Sequence, residues 1–225
     1  MVEQGSGPPL LLCPGGPGLC DYLGPVADML DDLVRVYRFD PRGCGRSSAT
    51  PPYDVATLIA DLEGLRAALG HERWLVVGHS FGANLALAYA LEHPDRVRGV
   101  VHLSGSGIQD DRQWHAAYEA GRASGTDPEP EFAYPANLEV NRQVMPSWRC
   151  YIKQGALLRR ISELPVPILA ICGHKDPRPR WPVEQLVELL PRARLAQLED
   201  AGHCPWLTHP EELAPVLRAF VQEMR

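Results

Sequence analysis

The sequence predicts an α/β fold in which a mostly parallel sheet of about six strands is flanked by helices. Two observations predict it. Short apolar segments alternate along the chain with segments that have helical periodicity, and several of the apolar segments contain no polar residue. Strands that are apolar throughout are typical of a parallel sheet covered by helices on both faces. The 225 residues are enough for one domain with a sizeable core.

The strands are predicted from short apolar segments bounded by Gly, Pro or polar residues. In chain order these segments are Leu10–Cys13, Arg35–Phe39, Trp74–Val77, Val97–Leu103, Val166–Cys172 and Arg194–Leu198.

Helices are predicted between these strands. After Asp54, a preferred N-cap residue, apolar side chains recur at helical spacing as far as Leu69, and Gly70 follows as a stop signal. A second helix ends before His93 and Pro94, because the residue before a proline disfavours helical geometry. This second helix is Gly82–Glu92, and the other predicted helices are Val183–Leu190 and Glu211–Gln222.

Residues 104–164 interrupt this alternation of strands and helices. They contain no predicted strand, although they are rich in aromatic residues. A stretch of roughly 60 residues is too long for an ordinary connection, so we predict a helical cap over a functional site. The predicted organisation is a core formed by residues 1–103 and 165–225, with a cap insertion at 104–164.

Composition and charge argue against several classes of protein. The net charge is -6, and no cluster of Lys or Arg marks a face that would bind nucleic acid. No apolar segment approaches the roughly 20 residues of a membrane-spanning helix. No secretory signal is visible, so we expect a cytoplasmic protein. The six cysteines lack CxxC spacing and the histidines lack the spacing of metal ligands, so we expect free thiols and no metal or cofactor.

A candidate nucleophile lies between the third predicted strand and the helix that follows it. Residues 78–82 read Gly-His-Ser-Phe-Gly and come directly after an apolar segment. The two glycines leave room for a tight turn from strand to helix, which exposes the serine hydroxyl. Because this pattern requires a strand before it and a helix after it, Ser80 is predicted to be a catalytic nucleophile.

A serine nucleophile needs a base to remove its proton and an acid to orient that base. Both are predicted at the carboxyl ends of later strands, where open α/β sheets build their sites. Asp176 follows the fifth predicted strand and is the candidate acid, and His203 follows the sixth and is the candidate base. Asp200 is the weaker candidate for the acid, because it sits beside His203 and does not follow a separate strand.

The developing oxyanion needs two backbone N–H donors. The N–H of Phe81, directly after the nucleophile, is one predicted donor. The second is expected from the glycine-rich loop after the first predicted strand, where Pro14 and Pro17 have no N–H. We predict Gly16 as this donor, with Gly15 as the alternative.

Four sequence blocks are spread over the whole chain: Pro14–Gly18, Asp40–Ser47, Gly78–Gly82 and Ala201–His203. Together they resemble the α/β-hydrolase superfamily, and within it the proline iminopeptidase-like group. The first two resemble the HGGPG and DxRGxGxS blocks of that group. The resemblance implies the α/β-hydrolase fold, a triad of Ser80, Asp176 and His203, and an oxyanion hole formed by Gly16 and Phe81.

The sequence also departs from that group. Pro14 stands where the family usually has a His that helps to fix the oxyanion loop. Few residues precede the first predicted strand, so the two leading strands common in the fold are expected to be missing. The predicted cap is shorter than in the iminopeptidases, which by resemblance hold the free amino group of the substrate with acidic cap residues.

The predicted function is a serine hydrolase that cleaves a small ester, amide or short peptide through an acyl-enzyme. Carboxylesterase and proline iminopeptidase-like activity both remain open, and the alternative from another class is a non-catalytic ligand-binding protein on the same fold. Trp148 and Tyr151 are candidate substrate-binding residues for an apolar group. Glu119 is a candidate for a substrate ammonium, as are the other cap glutamates Glu129, Glu131 and Glu139.

Overall fold

A computed structural model describes residues 1–109, 111–123 and 127–225. Seven strands are found within these residues, and they form a single sheet. The strands are β1 (Val2–Gln4), β2 (Pro9–Cys13), β3 (Arg35–Arg38), β4 (Trp74–His79), β5 (Val97–Leu103), β6 (Ile168–Gly173) and β7 (Ala193–Leu198). Their order in the sheet is β1-β3-β2-β4-β5-β6-β7. All neighbours are parallel except β1 and β3, which are antiparallel.

Helices connect the strands and cover both faces of the sheet. They are α1 (Gly24–Asp28), α2 (Val55–Ala68), α3 (Phe81–Glu92), α4 (Arg112–Ala123), α5 (Leu138–Tyr151), α6 (Leu157–Ser162), α7 (Trp181–Leu189), α8 (Pro205–Thr208) and α9 (Pro210–Glu223). No helix within the described ranges is long and apolar enough to cross a membrane.

The predicted α/β fold with a mostly parallel sheet is confirmed, and the sheet has one strand more than expected. All six predicted strands are present with small shifts at their ends. The additional strand is β1, which pairs with β3 from Val2 opposite Arg38 to Gln4 opposite Val36. This strand has only three residues and two of them are polar, so the apolar pattern that identifies the buried strands does not detect it.

The alternation of side chains along the central strands divides the core into two layers. In β2, Leu11 packs against the layer that contains α2, α3 and α5, whereas Leu10 and Leu12 pack on the opposite side with α1 and α9. Because β2 is buried on both faces, its sequence is apolar at every position. The sheet is therefore a rigid platform whose carboxyl-terminal edge carries the loops described below.

Residues 104–164 contain α4, α5 and α6, and no strand occurs in the part of this segment that the structure describes. Helix α5 packs into the core layer of α2 and α3 through side chains such as Val144 and Trp148. Its N-terminus lies on the loop after β2, because the N–H of Asn137 donates to the carbonyl of Gly18 at 2.8 Å. The segment is therefore anchored to the core beside the carboxyl ends of the strands.

Asp40 organises the turn after β3. Its carboxylate is buried and accepts the backbone N–H groups of Asp21 at 2.9 Å and of Arg46 at 3.1 Å. The Arg46 guanidinium adds a further hydrogen bond at 2.6 Å. Burial alone would raise the pKa of Asp40, but these hydrogen bonds and the positive charge outweigh it and hold the pKa below its usual value. Asp40 therefore has a structural role in this turn.

Replacing Asp40 with Asn should lower the free energy of unfolding at pH 7 by about 2 kcal/mol, because charge-assisted hydrogen bonds are lost. A depressed folded-state pKa stabilises the protein above the unfolded pKa of about 3.9. This contribution disappears as pH falls through the lower folded-state pKa. The difference between wild type and Asp40→Asn, measured by urea unfolding, should therefore shrink below about pH 4. Asp95→Asn, at an exposed position, is the control and should change little at either pH.

Candidate active site

Ser80 lies on a strained turn between β4 and α3. Its backbone has φ 57° and ψ -122°, a region that residues with a side chain rarely adopt. The turn is held because the N–H of Ser80 donates to the carbonyl of Leu103 at 2.9 Å. Although Ser80 is the N-cap residue of α3, its side chain makes no capping hydrogen bond. The hydroxyl is therefore half-buried but not engaged in holding the helix.

The two glycines that flank this turn are required by close backbone contacts. A Cβ atom at Gly78 would lie 2.1 Å from the carbonyl oxygen of Gly82, and one at Gly82 would lie 2.2 Å from the carbonyl oxygen of Cys13. Any larger residue would push the start of α3 away from β4 or from the end of β2. The Gly-x-Ser-x-Gly pattern is thus explained by sterics.

Asp176 and His203 form a hydrogen-bonded pair at the carboxyl ends of β6 and β7. His203 Nδ1 lies 2.8 Å from Asp176 Oδ2, and both side chains are largely buried. The loop that carries His203 is joined to the nucleophile strand, because the ring of His79 lies 4.5 Å from the ring of His203 between centroids. The structure therefore brings the predicted acid and base together, beside the residue that precedes Ser80.

Arg178 holds the second oxygen of the Asp176 carboxylate. Its backbone N–H donates to Asp176 Oδ1 at 2.9 Å, and its guanidinium approaches the same oxygen at 3.3 Å. Burial acts to raise the pKa of Asp176, but the hydrogen bond from His203 and the charge of Arg178 outweigh it, and the pKa is lowered. With the carboxylate ionised, His203 Nδ1 carries the proton and Nε2 is the basic nitrogen.

The loop after β2 lies directly against Ser80. A Cβ atom at Gly15 would be 2.9 Å from Ser80 Cβ. The N–H of Gly15 donates to the hydroxyl of Tyr22 at 2.7 Å, so it is already engaged. The N–H of Phe81 is at the first position of α3, where the helix offers no acceptor. Of the two loop glycines considered, Gly16 rather than Gly15 is therefore compatible with a role as the second donor.

A cleft of about 870 Å³ opens beside Asp176 and His203. One wall is formed by the loops after β6 and β7. The opposite wall is formed by α4 and the residues that follow it, including Tyr118, Asp127 and Glu129. Charged side chains of both signs line the cleft, which differs from the apolar pocket expected from the aromatic content of the segment.

The three residues predicted to bind substrate do not line this cleft. Trp148 is 2% exposed and packs its edge against Phe81, with ring centroids 6.0 Å apart. Tyr151 stacks on Trp148 and donates to Glu92 at the far end of α3. Glu119 is exposed on α4, although neighbouring residues of that helix line the cleft. Trp148 and Tyr151 are core residues, because the aromatic side chains of α5 fill the space over α3.

The other cap glutamates are also placed differently from one another. Glu129 lines the cleft, whereas Glu131 is exposed outside it. Glu139 forms an exposed ion pair with Arg142 at 2.9 Å. Of the four cap glutamates considered from the sequence, Glu129 is thus the one whose position allows contact with a molecule in the cleft.

Asp127 and Tyr22 contact the site and were not identified from the sequence. The carboxylate of Asp127 accepts the backbone N–H of His203, and a Cβ atom at Gly202 would overlap it. Burial raises the pKa of Asp127. Both residues contact the backbone of the site loops, and no spacing rule connects them to a motif. The position of a tyrosine four residues after the glycine-rich loop was the available signal for Tyr22.

No group of three or more His, Cys, Asp or Glu side chains within residues 1–109, 111–123 and 127–225 is arranged to hold a metal ion. The six cysteines are free thiols, and all except Cys150 are buried.

Comparison with known proteins places the chain in a family. The family model described as alpha/beta hydrolase fold matches residues 8–150. The chain belongs to this α/β hydrolase family, in agreement with its sheet order and the position of its Ser80 turn.

Two sequence relatives and one solved structure illustrate what the chain is similar to. A putative carbamate hydrolase RutD from Caulobacter sp. (strain K31) is 36% identical over 240 residues, covering 94% of this chain and 90% of that protein. A proline iminopeptidase from Neisseria gonorrhoeae is 37% identical over 149 residues, covering 63% of this chain and 47% of that protein. The match thus spans about half the length of the iminopeptidase. A thermophilic esterase from Thermogutta terrifontis superposes with a TM-score of 0.80 at 21% identity, covering 99% of this chain and 92% of the esterase. All three are named as hydrolases.

Removing the hydroxyl of Tyr151 should affect stability and leave the site unchanged. Tyr151→Phe loses the hydrogen bond to Glu92 and should lower the free energy of unfolding by about 1 kcal/mol. KM for an aryl ester should stay within about two-fold of wild type, because Tyr151 lies away from the cleft. Urea unfolding and steady-state kinetics measure the two effects, and a large rise in KM without loss of stability would restore Tyr151 as a substrate-binding residue.

Proposed function

We propose that the protein is a serine hydrolase in which Ser80 is the nucleophile, His203 the general base and Asp176 the residue that orients the base. The observation that carries this proposal is the hydrogen bond between Asp176 and His203 Nδ1 beside the strained turn that presents Ser80. A free serine hydroxyl is a weak nucleophile, and a base oriented by a carboxylate is what activates it.

The proposed reaction proceeds through an acyl-enzyme. Ser80 Oγ attacks the carbonyl carbon of the substrate while His203 Nε2 takes the hydroxyl proton. Asp176 keeps Nδ1 protonated and stabilises the imidazolium that forms. The same proton is then given to the leaving alcohol or amine, which departs as the bond to it breaks. Water repeats these steps in deacylation, giving the carboxylic acid and restoring Ser80 and neutral His203.

The negative charge on the carbonyl oxygen requires donors that are fixed before the reaction begins. We assign this role to the N–H groups of Phe81 and Gly16. Phe81 supports the assignment because its N–H has no helical acceptor. Gly16 supports it because the neighbouring N–H of Gly15 is engaged by Tyr22.

Residues 104–164 are proposed to form a cap over the site. Three contacts support this role, each to a different loop of the site. Tyr118 receives a hydrogen bond from Arg178 at 3.4 Å, and Asp127 accepts the N–H of His203. Asn141 Nδ2 donates to the carbonyl of Pro17 at 3.0 Å. The segment is thus joined to the loops after β6, β7 and β2.

The substrate is proposed to be a small ester or amide with polar groups near the scissile bond. Charges of both signs line the cleft beside Asp176 and His203, and they match a polar or charged substrate better than a purely hydrophobic one. The carbamate hydrolase relative, which matches over nearly its whole length, adds carbamates to the candidate substrates. Glu129 is the residue proposed to meet a substrate ammonium if the substrate is a short peptide.

Replacing Ser80 with Ala should abolish turnover, with a loss of up to about 10⁶-fold in kcat, because the acyl-enzyme cannot form. Hydrolysis of a short-chain aryl ester, a prolyl arylamide and an aryl carbamate by wild type and variant measures this loss. The acyl class is identified by the substrate that the wild type cleaves and that Ser80→Ala does not cleave.

The exposed Ser162→Ala variant is the control for this substitution and should retain full activity. Wild-type turnover that survives in Ser80→Ala would overturn the assignment of the nucleophile. If wild type cleaves none of the three substrates and does not react with an alkyl fluorophosphonate, the ligand-binding alternative on the same fold replaces the hydrolase proposal.

Replacing Asp176 with Asn should lower kcat by about 10³- to 10⁴-fold, since the amide does not stabilise the imidazolium or enforce its tautomer. KM should change little. Asp200→Asn is the matched control, because Asp200 is close in sequence to His203 but is exposed and paired with Lys175 at 2.7 Å. Steady-state kinetics should show near wild-type activity for Asp200→Asn, and equal losses in the two variants would contradict the role given to Asp176.

A further inference from the structure

The oxyanion loop, residues 14–18, is held by groups that differ from those expected of the family. Pro14 occupies the position of the His that usually helps to fix this loop. A loop of glycines and prolines has no side chains of its own that donate hydrogen bonds. Other parts of the protein must therefore fix the direction of its N–H groups.

Tyr22 holds the loop from the inside through a chain of three hydrogen bonds. The N–H of Gly15 donates to the Tyr22 hydroxyl at 2.7 Å. The hydroxyl lies 2.6 Å from His79 Nδ1, and His79 Nε2 lies 2.9 Å from the carbonyl oxygen of His203. This chain joins the oxyanion loop, the residue before Ser80 and the backbone of the candidate base.

The direction of each bond in this chain is fixed. A carbonyl oxygen only accepts, so His79 Nε2 carries the proton and donates to His203. Burial, followed by the proximity of His203, lowers the pKa of His79 well below its usual value, so the ring is neutral and Nδ1 accepts. Burial raises the pKa of Tyr22, so its hydroxyl stays protonated and donates to Nδ1. The Tyr22 oxygen is then free to accept the N–H of Gly15.

Aromatic packing restricts the Tyr22 ring. Trp206 stacks on it at 6.1 Å between centroids, and Phe132 meets it edge-on at 5.3 Å. The rings of Trp206 and His79 are also nearly perpendicular, with centroids 4.6 Å apart. The hydroxyl of Tyr22 is therefore delivered to Gly15 and His79 by a ring that has little room to rotate.

Asn141 holds the same loop from the outside. Its amide Nδ2 donates to the carbonyl of Pro17 at 3.0 Å. Asn137, the N-cap residue of α5, contributes its backbone N–H, which donates to the carbonyl of Gly18 at 2.8 Å. The loop is thus held on both sides of Gly16, by Tyr22 at the Pro14–Gly15 peptide and by Asn141 at the Pro17–Gly18 peptide.

We propose that Tyr22 and Asn141 are positioning residues that hold the oxyanion loop in place of the family histidine, so that the N–H of Gly16 points toward the oxygen of the reacting carbonyl. Neither side chain touches substrate in this arrangement. The proposal rests on the hydrolase function proposed above, and it explains why Gly16 and not Gly15 supplies the second donor.

The test is the rate at which an alkyl fluorophosphonate labels Ser80 in wild type and in Tyr22→Phe. In this reaction Ser80 Oγ bonds to phosphorus, fluoride leaves and His203 takes the serine proton. The phosphoryl oxygen occupies the oxyanion site, so the rate reports the alignment of its donors. Complete loss of one donor costs about 10²- to 10³-fold, and a misaligned donor should slow labelling by about 10- to 100-fold. With a cleavable ester, kcat should fall by the same factor while KM stays within about two-fold.

Tyr37→Phe is the matched control. Tyr37 is buried on β3, and its hydroxyl lies 2.9 Å from Nε2 of His71, away from the site. This variant loses the same kind of Tyr–His hydrogen bond and should label within about two-fold of wild type. Thermal unfolding of both variants checks that a difference in labelling is not a difference in folding.

Asn141→Ala tests the outer contact and does not depend on Tyr22→Phe being folded. Gln143→Ala is its control, since Gln143 lies on the same helix and its side chain donates to exposed Glu139 at 2.7 Å. Asn141→Ala should be labelled several-fold more slowly than Gln143→Ala. The effect should be smaller than that of Tyr22→Phe, because Asn141 is half-exposed.

The outcomes separate this proposal from the hydrolase proposal. If wild type labels at Ser80 but Tyr22→Phe labels as fast as Tyr37→Phe, the role of Tyr22 is overturned and the hydrolase function stands. Equal rates for Asn141→Ala and Gln143→Ala overturn the role of Asn141 in the same way. If wild type itself does not label, the hydrolase function fails and the positioning roles fail with it.

Discussion

The site depends on one close contact between backbones, where the end of β2 meets the start of α3. Strands β2 and β4 are neighbours in the sheet, with Cys13 opposite Gly78. At the start of α3, Gly82 lies so close to the carbonyl of Cys13 that a Cβ atom does not fit between them. Because the loop after β2 continues from this contact, it passes directly over Ser80. The parallel pairing of β2 and β4 therefore sets the distance between the backbone N–H groups of the loop after β2 and the strained turn at Ser80.

Much of the fold was predictable because buried parallel strands have a strong sequence pattern. Their carboxyl ends meet at one edge of the sheet, so residues that follow different strands, such as Asp176 and His203, come together although they are distant in sequence. Strand β1 was missed because it is short, polar and antiparallel at the edge. The catalytic roles of Ser80, Asp176 and His203 stay predictions until the substitutions are measured.

The segment between β5 and β6 was less predictable, and the reason is physical. Aromatic content indicates that side chains are buried, but it does not say whether they face a ligand or the core. Trp148 and Tyr151 face the core because α5 lies on α3. Tyr22 and Asp127 were not predicted, because their hydrogen-bond partners are backbone groups of loops. Every sequence with the same loop geometry has these backbone groups, so no residue type marks them. Such contacts follow from tertiary packing and leave no periodic signature.

Arg178 connects helix α4 to the candidate active site. It bonds to the carboxylate of Asp176, and its guanidinium also lies 5.0 Å from the centre of the Tyr118 ring on α4. One side chain therefore contributes both to the docking of α4 and to the orientation of the acid. By thermodynamic reciprocity, any free energy that couples the docking of α4 to the orientation of Asp176 is the same in both directions. Because Tyr118, Asp176 and Arg178 all line the cleft, a molecule bound there contacts the same side chains that make this connection.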